Sequence, residues 1–141
     1  METVLVVDDV PCILDLLRRI LLMDGYSVLA ASDGQEAIDA AAQWPDCIDL
    51  LVADVAMPGM SCTLLVERLC GQRPSLKILY ISGHSRDVVA DLGIRSDAFF
   101  LQKPFLPLEL AKAVRHVLDG SCKGLSERVT SGAHRVALGT C

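Results

Sequence analysis

Several features that would decide the class of this 141-residue chain at once are missing from it. No apolar run approaches the ~18 residues that a membrane-spanning helix needs. No basic leader precedes an apolar stretch, and Leu5 already falls within a predicted strand, which argues against a secretory signal. Clusters of Lys and Arg are absent too. With 13 basic residues against 18 acidic ones the net charge is -5, the wrong balance for neutralising nucleic-acid phosphates. The cysteines Cys12, Cys47, Cys62, Cys70, Cys122 and Cys141 form no C-x-x-C pair and no metal-finger spacing. They read as reduced, small hydrophobes of a cytoplasmic protein. The expected partner is therefore another protein, with no nucleic acid and no membrane.

What is present is enough apolar material for one core. Hydrophobic residues make up 52% of the chain, which excludes general disorder, and the length suits a single domain. Apolar strands alternate with amphipathic stretches, the pattern of an α/β domain with a parallel sheet. Strands are predicted at Val4–Val7, Tyr26–Ala31 (near an edge), Ile48–Ala53, Lys77–Ile81 and Ala98–Leu101. Helices are predicted from Pro11 to Gly25, Gln35 to Gln43, Thr63 to Gly71, Arg86 to Leu92 (short and weakly apolar) and Leu108 to Leu118. Met57-Pro58-Gly59 reads as a loop. After Gly120 the periodicity stops, so residues 1–120 are expected to form the domain and 121–141 a flexible tail.

Four polar islands follow these apolar runs. Val4-Leu5-Val6-Val7 leads into Asp8-Asp9, Leu50-Leu51-Val52-Ala53 into Asp54, Ile78-Leu79-Tyr80-Ile81 into Ser82, and Phe99-Phe100-Leu101 into Lys103 across Gln102. In an open parallel sheet, chemistry gathers beyond the carboxyl ends of the strands. Three carboxylates, a hydroxyl and an ammonium would meet at one edge. That set suits a divalent metal and a phosphoryl group. The acids repel one another, a hard cation with oxygen ligands relieves the repulsion, and Mg²⁺ fits because it also accepts a substrate phosphate. An ionised Asp54 is a nucleophile that needs no general base. Taken singly, each island has a plainer reading: a helix cap at Asp8-Asp9, a strand-end acid at Asp54, a solvated lysine at Lys103. Their joint placement after separate buried strands is what favours a site.

The motifs VVDD, DVAMPGM, YISG and LQKPF, in that order, resemble the receiver domain of two-component response regulators over about Thr3 to Asp119. The resemblance implies a doubly wound (βα)5 fold with the flavodoxin-like strand order 2-1-3-4-5. It also implies a phosphoacceptor at Asp54 and a Mg²⁺ site from Asp8, Asp9, Asp54 and the backbone carbonyl of Ala56. Lys103 would balance phosphoryl charge ahead of an often cis proline, and Ser82 and Phe100 would be the switch hydroxyl and aromatic. A histidine kinase or histidine phosphotransfer protein would be the donor. A downstream protein would read the surface made by the 86–92 helix, the last strand and the last helix, with the domain a monomer or weak dimer.

Receivers at the C-terminus of hybrid sensor kinases are similar in the opening E-T-V-L-V-V-D-D and in Y-I-S-G-H. Two departures stand out: Cys62 where the family commonly has Gly, and Phe100 where Tyr is frequent. His84, two residues after Ser82, reads as a solvated loop residue, and a redox role for Cys62 would need a depressed thiol pKa. Two rivals remain. An aspartyl-phosphate phosphatase of the haloacid dehalogenase class carries D-x-D after the first strand, whereas here Val10 follows D-D and no cap-sized insertion exists. A pure interaction module would use the fold without phosphorylation, which the complete acid-and-lysine set disfavours. The domain is not expected to be a turnover enzyme beyond assisting its own phosphorylation and hydrolysis.

Overall fold

The computed structural model describes residues 2–56, 59–83 and 99–120. Five parallel strands form one sheet: β1 (Thr3–Val7), β2 (Ser27–Ala31), β3 (Leu50–Asp54), β4 (Lys77–Ser82) and β5 (Phe100–Gln102). Their order is β2-β1-β3-β4-β5, the expected one. Four described helices connect or follow them: α1 (Pro11–Met23), α2 (Gly34–Gln43), α3 (Cys62–Gln72) and α4 (Pro107–Gly120). The helix expected over 86–92, His84, most of the 57–59 loop and the 121–141 tail lie outside the described residues.

The burial of each strand follows from its place in the sheet. Every residue of β1 and β3 is buried, because strands flanked on both sides and covered on both faces have no wet side. The edge strands β2 and β5 are only partly covered. Helix α1 packs beside α4, and α2 beside α3. On α1, Leu17, Ile20 and Leu21 turn inward, while on α4 Leu110, Val114, Val117 and Leu118 do. Ala111, beside Leu110 on α4, is only half-buried.

Helix ends show which local signals acted. Gly25 ends α1 with φ of +93°, a left-handed conformation that glycine adopts without strain, and its N–H donates to the Leu22 carbonyl. Asp33 caps α2 by accepting the Glu36 N–H at 2.7 Å, and Glu36 returns to accept from the Ser32 N–H at 2.6 Å. Ser61 caps α3 through the Leu64 N–H. Cys62 is therefore the first helical residue, and the glycine common at its place in receivers is not required here for a left-handed backbone. The cap of α1 is Val10, not one of the aspartates, so the plain capping reading of Asp8-Asp9 does not hold.

One expectation about the cysteines is corrected. Cys12, Cys47 and Cys62 are free, but Cys70 is disulfide-bonded. Sequence spacing cannot exclude a bridge whose partners are brought together only by the fold.

Opposite the catalytic-type edge, the amino ends of the strands are stapled by polar contacts. Thr3 donates its N–H to Asp49, and Arg115 of α4 reaches Glu2, Tyr26 and Asp119. Arg73, just past α3, donates to the backbone carbonyls of Ala41, Trp44 and Asp46 at 2.8–2.9 Å. It thereby satisfies acceptors left over at the end of α2. Arg73→Ala should lower stability by about 1–3 kcal/mol, since charge-assisted bonds to partly buried carbonyls are lost together. Urea unfolding monitored by circular dichroism measures this, with an unchanged spectrum expected in the folded state.

Candidate functional site

Register decides what meets at the carboxyl edge. Val7 pairs with Ala53 across β1 and β3, so the next residues, Asp8 and Asp54, stand opposite each other. Asp54 pairs with Ile81 across β3 and β4, which sets Ser82 one step beyond it. Ser82 pairs with Gln102 across β4 and β5, and the Lys103 N–H donates to the Ser82 carbonyl at 2.8 Å. The four islands thus converge through backbone pairing alone, before any side chain is considered.

The side chains complete a charged cluster. Lys103 Nζ lies 3.0 Å from Asp8 Oδ2 and 3.4 Å from Asp54 Oδ2. Asp8, Asp54 and Ser82 are almost wholly buried, whereas Asp9 is more open. Each acid is also held by the chain just after it. Asp8 Oδ1 accepts the Val10 N–H at 2.9 Å, and Asp54 Oδ1 accepts the Ala56 N–H at 3.2 Å. This two-residue reach is a common device of aspartates that leave a strand for a turn. It orients the remaining oxygens toward the lysine.

Electrostatics sharpen the picture. Burial pushes the Asp54 carboxyl up, the neighbouring Asp8 charge adds to this, and the Ala56 N–H and Lys103 oppose it without prevailing. For Lys103, burial alone would lower the ammonium pKa, yet its contacts with Asp8 and Asp54 together raise it. Lys103 is therefore charged at neutral pH. Cys62, buried and close enough to feel the Asp54 charge, has its thiol pushed up to about 12 by burial first and Asp54 second. A thiol of that kind is inert at neutral pH, which removes the redox reading of Cys62.

The donor set fits a hard divalent cation. Asp8, Asp9 and Asp54 each offer an oxygen, and these oxygens lie within 4.8 Å of one another. At 4.8 Å, two unit charges repel by about 3.5 kcal/mol at an effective dielectric of about 20, so a cation has a large penalty to relieve. All-oxygen carboxylate ligation with an open side suits Mg²⁺ better than a softer metal.

Not every predicted residue belongs to this cluster. Phe100 is half-buried on β5 and pairs with Tyr80, two register positions behind Ser82. The Lys103–Pro104 peptide bond is cis. Two features were missed from sequence: the lysine bridging both acids, and the closeness of Cys62 to Asp54. The turn chemistry after each aspartate could have signalled the first, but nothing local signals the second.

Comparisons with known proteins identify the family. The model of the response regulator receiver domain matches residues 4–115. Response regulator GtcR of Aneurinibacillus migulanus is 33% identical over 81% of this chain and 46% of its own length. For transcriptional regulatory protein CpxR of Escherichia coli (strain K12) the identity is 37%, over 86% of this chain and 51% of that protein. Sensor kinase CckA of Brucella abortus (strain 2308) is 33% identical over 83% of this chain but only 12% of that protein. The chain thus spans about half the length of these curated relatives, or less.

Among solved structures, the receiver domain of the hybrid histidine kinase CckA superposes with a TM-score of 0.70 at 32% identity, covering 84% of this chain and all (100%) of that one. Response regulator TrrA of Thermotoga maritima, solved in complex with Mg²⁺ and BeF, gives a TM-score of 0.70 at 30% identity, over 82% of this chain and 97% of that one. This chain belongs to the response regulator receiver domain family. It is a receiver domain of two-component signalling, the class of phosphoryl-accepting switch that its fold and acidic edge had indicated.

The site's own strain is measurable. Because the folded-state pKa of Asp54 lies above its unfolded value, its ionisation weakens the fold; the penalty is complete above the folded value and vanishes below the unfolded one. In metal-free buffer Asp54→Asn should therefore raise Tm at neutral pH, with a gain that shrinks as pH falls through the carboxylate range. A gain independent of pH would mean that the effect is not electrostatic.

Proposed function

We propose that Asp54 is the phosphoacceptor of this receiver and that residues 1–120 form the receiver unit. The observation that carries the reading is the buried Asp54 carboxylate, ion-paired to Lys103 and set beside Asp8 and Asp9. A donor phosphoryl group would be attacked by an Asp54 oxygen, which needs no base because the carboxylate is already ionised. Lys103 is close enough to transfer its attraction from the two acids to a phosphoryl oxygen on Asp54. Ser82, at the end of the neighbouring strand, supplies a hydroxyl for another.

Asp8, Asp9 and Asp54, with the backbone carbonyl of Ala56, would hold Mg²⁺. When bound, it supplies positive charge to the phosphoryl oxygens, and phosphoryl transfer depends chiefly on such placement of charge. Phosphorylation then favours the conformation in which Ser82 reaches the phosphoryl oxygen and Phe100 moves into the space vacated, since only a difference in interaction can shift the equilibrium. The donor is a histidine kinase or histidine phosphotransfer protein in the cytoplasm. A downstream protein reads the altered surface, and the domain turns over no substrate beyond its own aspartyl phosphate. Among the described residues no helix is long and apolar enough to cross a membrane.

The test is intact-mass spectrometry after incubation with acetyl phosphate and Mg²⁺. The wild type should gain one phosphoryl group, and neither Asp54→Asn nor the wild type in EDTA should gain it. A label that persists in Asp54→Asn would overturn the assignment.

The switch is tested separately. Ser82→Ala should leave Asp54 competent to be phosphorylated yet weaken the response of Phe100 and β5 to a beryllofluoride mimic, as read by NMR shifts. If Phe100 shifts equally in both proteins, Ser82 does not transmit the signal.

A further inference from the structure

A cavity of about 510 Å³ shares Lys103 with the acidic cluster, and its other walls belong neither to the metal site nor to the switch. Its walls among the described residues are Ile13 and Leu16 of α1, Gly83 just after Ser82, and Lys103, Pro104 and Phe105 from the turn into α4. The volume lies within the ordinary range of small-molecule sites. Five of the six walls are uncharged, and the sixth is the lysine that touches Asp54. Leu16 is 39% exposed, although an apolar side chain lining a cavity gains from being covered.

The composition of this cavity defines its occupant: an anionic head at Lys103, continuous with an apolar body of a few carbons. The anion must also be able to use Asp54, because Lys103 Nζ lies 3.4 Å from Asp54 Oδ2. We infer that the cavity seats the acyl chain of a small acyl phosphate, so that this receiver accepts phosphoryl groups from short-chain acyl phosphates in preference to acetyl phosphate. The inference rests on Asp54 being the phosphoacceptor.

The transfer balances without a further reactant. An Asp54 oxygen forms a bond to phosphorus as the bond from phosphorus to the acyl oxygen breaks. The electron pair leaves with the departing carboxylate, and no proton or redox step is involved. Lys103 faces the charge that shifts between the two, and the acyl chain stays against Ile13, Leu16, Pro104 and Phe105. Acetyl phosphate carries only one methyl group and leaves most of these walls uncovered.

Butyryl phosphate is the discriminating probe. Its leaving carboxylate has nearly the basicity of acetate, so intrinsic reactivity cancels and only the two added methylenes differ. Rates of Asp54 phosphorylation, measured by intact-mass spectrometry with subsaturating donor and Mg²⁺, should be about tenfold higher for butyryl phosphate, the effect of burying such a chain in an apolar pocket. Leu16→Gln should reduce that butyryl-to-acetyl ratio toward one, while circular dichroism and Tm confirm that the fold is retained. Ile13→Ala, which enlarges the cavity without adding polarity, should lower the same ratio less.

Equal rates for the two donors in the wild type would overturn the inference alone and leave the cavity to a side chain of a protein partner. A preference that Leu16→Gln does not alter would overturn it too, by placing the acyl chain elsewhere. Failure of both donors to label Asp54 would remove the phosphoacceptor reading itself, and this inference with it.

Discussion

One ammonium group holds the carboxyl edge of this sheet together. Lys103 lies within 3.4 Å of both Asp8 and Asp54, two nearly buried acids that would otherwise face each other across adjacent strands. Removing one partner of a buried ion pair leaves an uncompensated charge, which is far more harmful than losing a surface bridge. Both pKa values are raised, which disfavours the charged aspartate but favours the charged lysine, and both follow from this arrangement. Lys103 gains from two acids at once, while Asp54 shares a single lysine with Asp8 and still bears its own burial. The compensation is partial, and a partly compensated acidic site is one that can bind a cation.

The sheet supports that interaction through a division of labour between its two ends. At the amino ends the polar contacts are structural: Asp49 takes the Thr3 N–H, and Arg115 ties α4 to Glu2 and Tyr26. At the carboxyl ends the polar groups are the aspartates and the serine, above the buried strands β1, β3 and β4, and a lysine just past the edge strand β5. The central strands are rigid because both faces are covered, so the positions of Asp8 and Asp54 are inherited from the register of β1 and β3. Chemistry on such a frame needs little loop order to assemble, and Lys103 is fixed by its own backbone bond to Ser82.

Much of this was legible in the chain as written. The uniform apolar runs of β1 and β3 announced strands covered on both faces, and the polar residue ending each run announced the edge where they meet. Gly25 and Pro11 bounded α1 because their backbone chemistry leaves few alternatives. The strand limits drifted by one or two residues at β3 and β5, where pairing rather than composition sets the ends. What the chain could not reveal depended on tertiary distance. The bridge from Lys103 to two acids joins residues far apart in sequence, and neither the charge of Asp54 felt by Cys62 nor the disulfide at Cys70 leaves a local signal. For Asp8, capping propensity was a misleading guide, because its side chain takes the Val10 N–H without being the cap.

These elements together imply that the resting site is held at some expense of stability. Desolvation and the Asp8 charge both work against an ionised Asp54, and the lysine does not offset them in full. A sequence selected for stability alone would have replaced one of the three acids with an amide of the same shape. Retaining all three makes the empty site the less favourable state, so whatever neutralises the cluster gains the repulsion as binding energy. A cation relieves it by sitting among the oxygens. The same unfavourable charge that weakens the isolated fold is therefore available as binding energy for a cation.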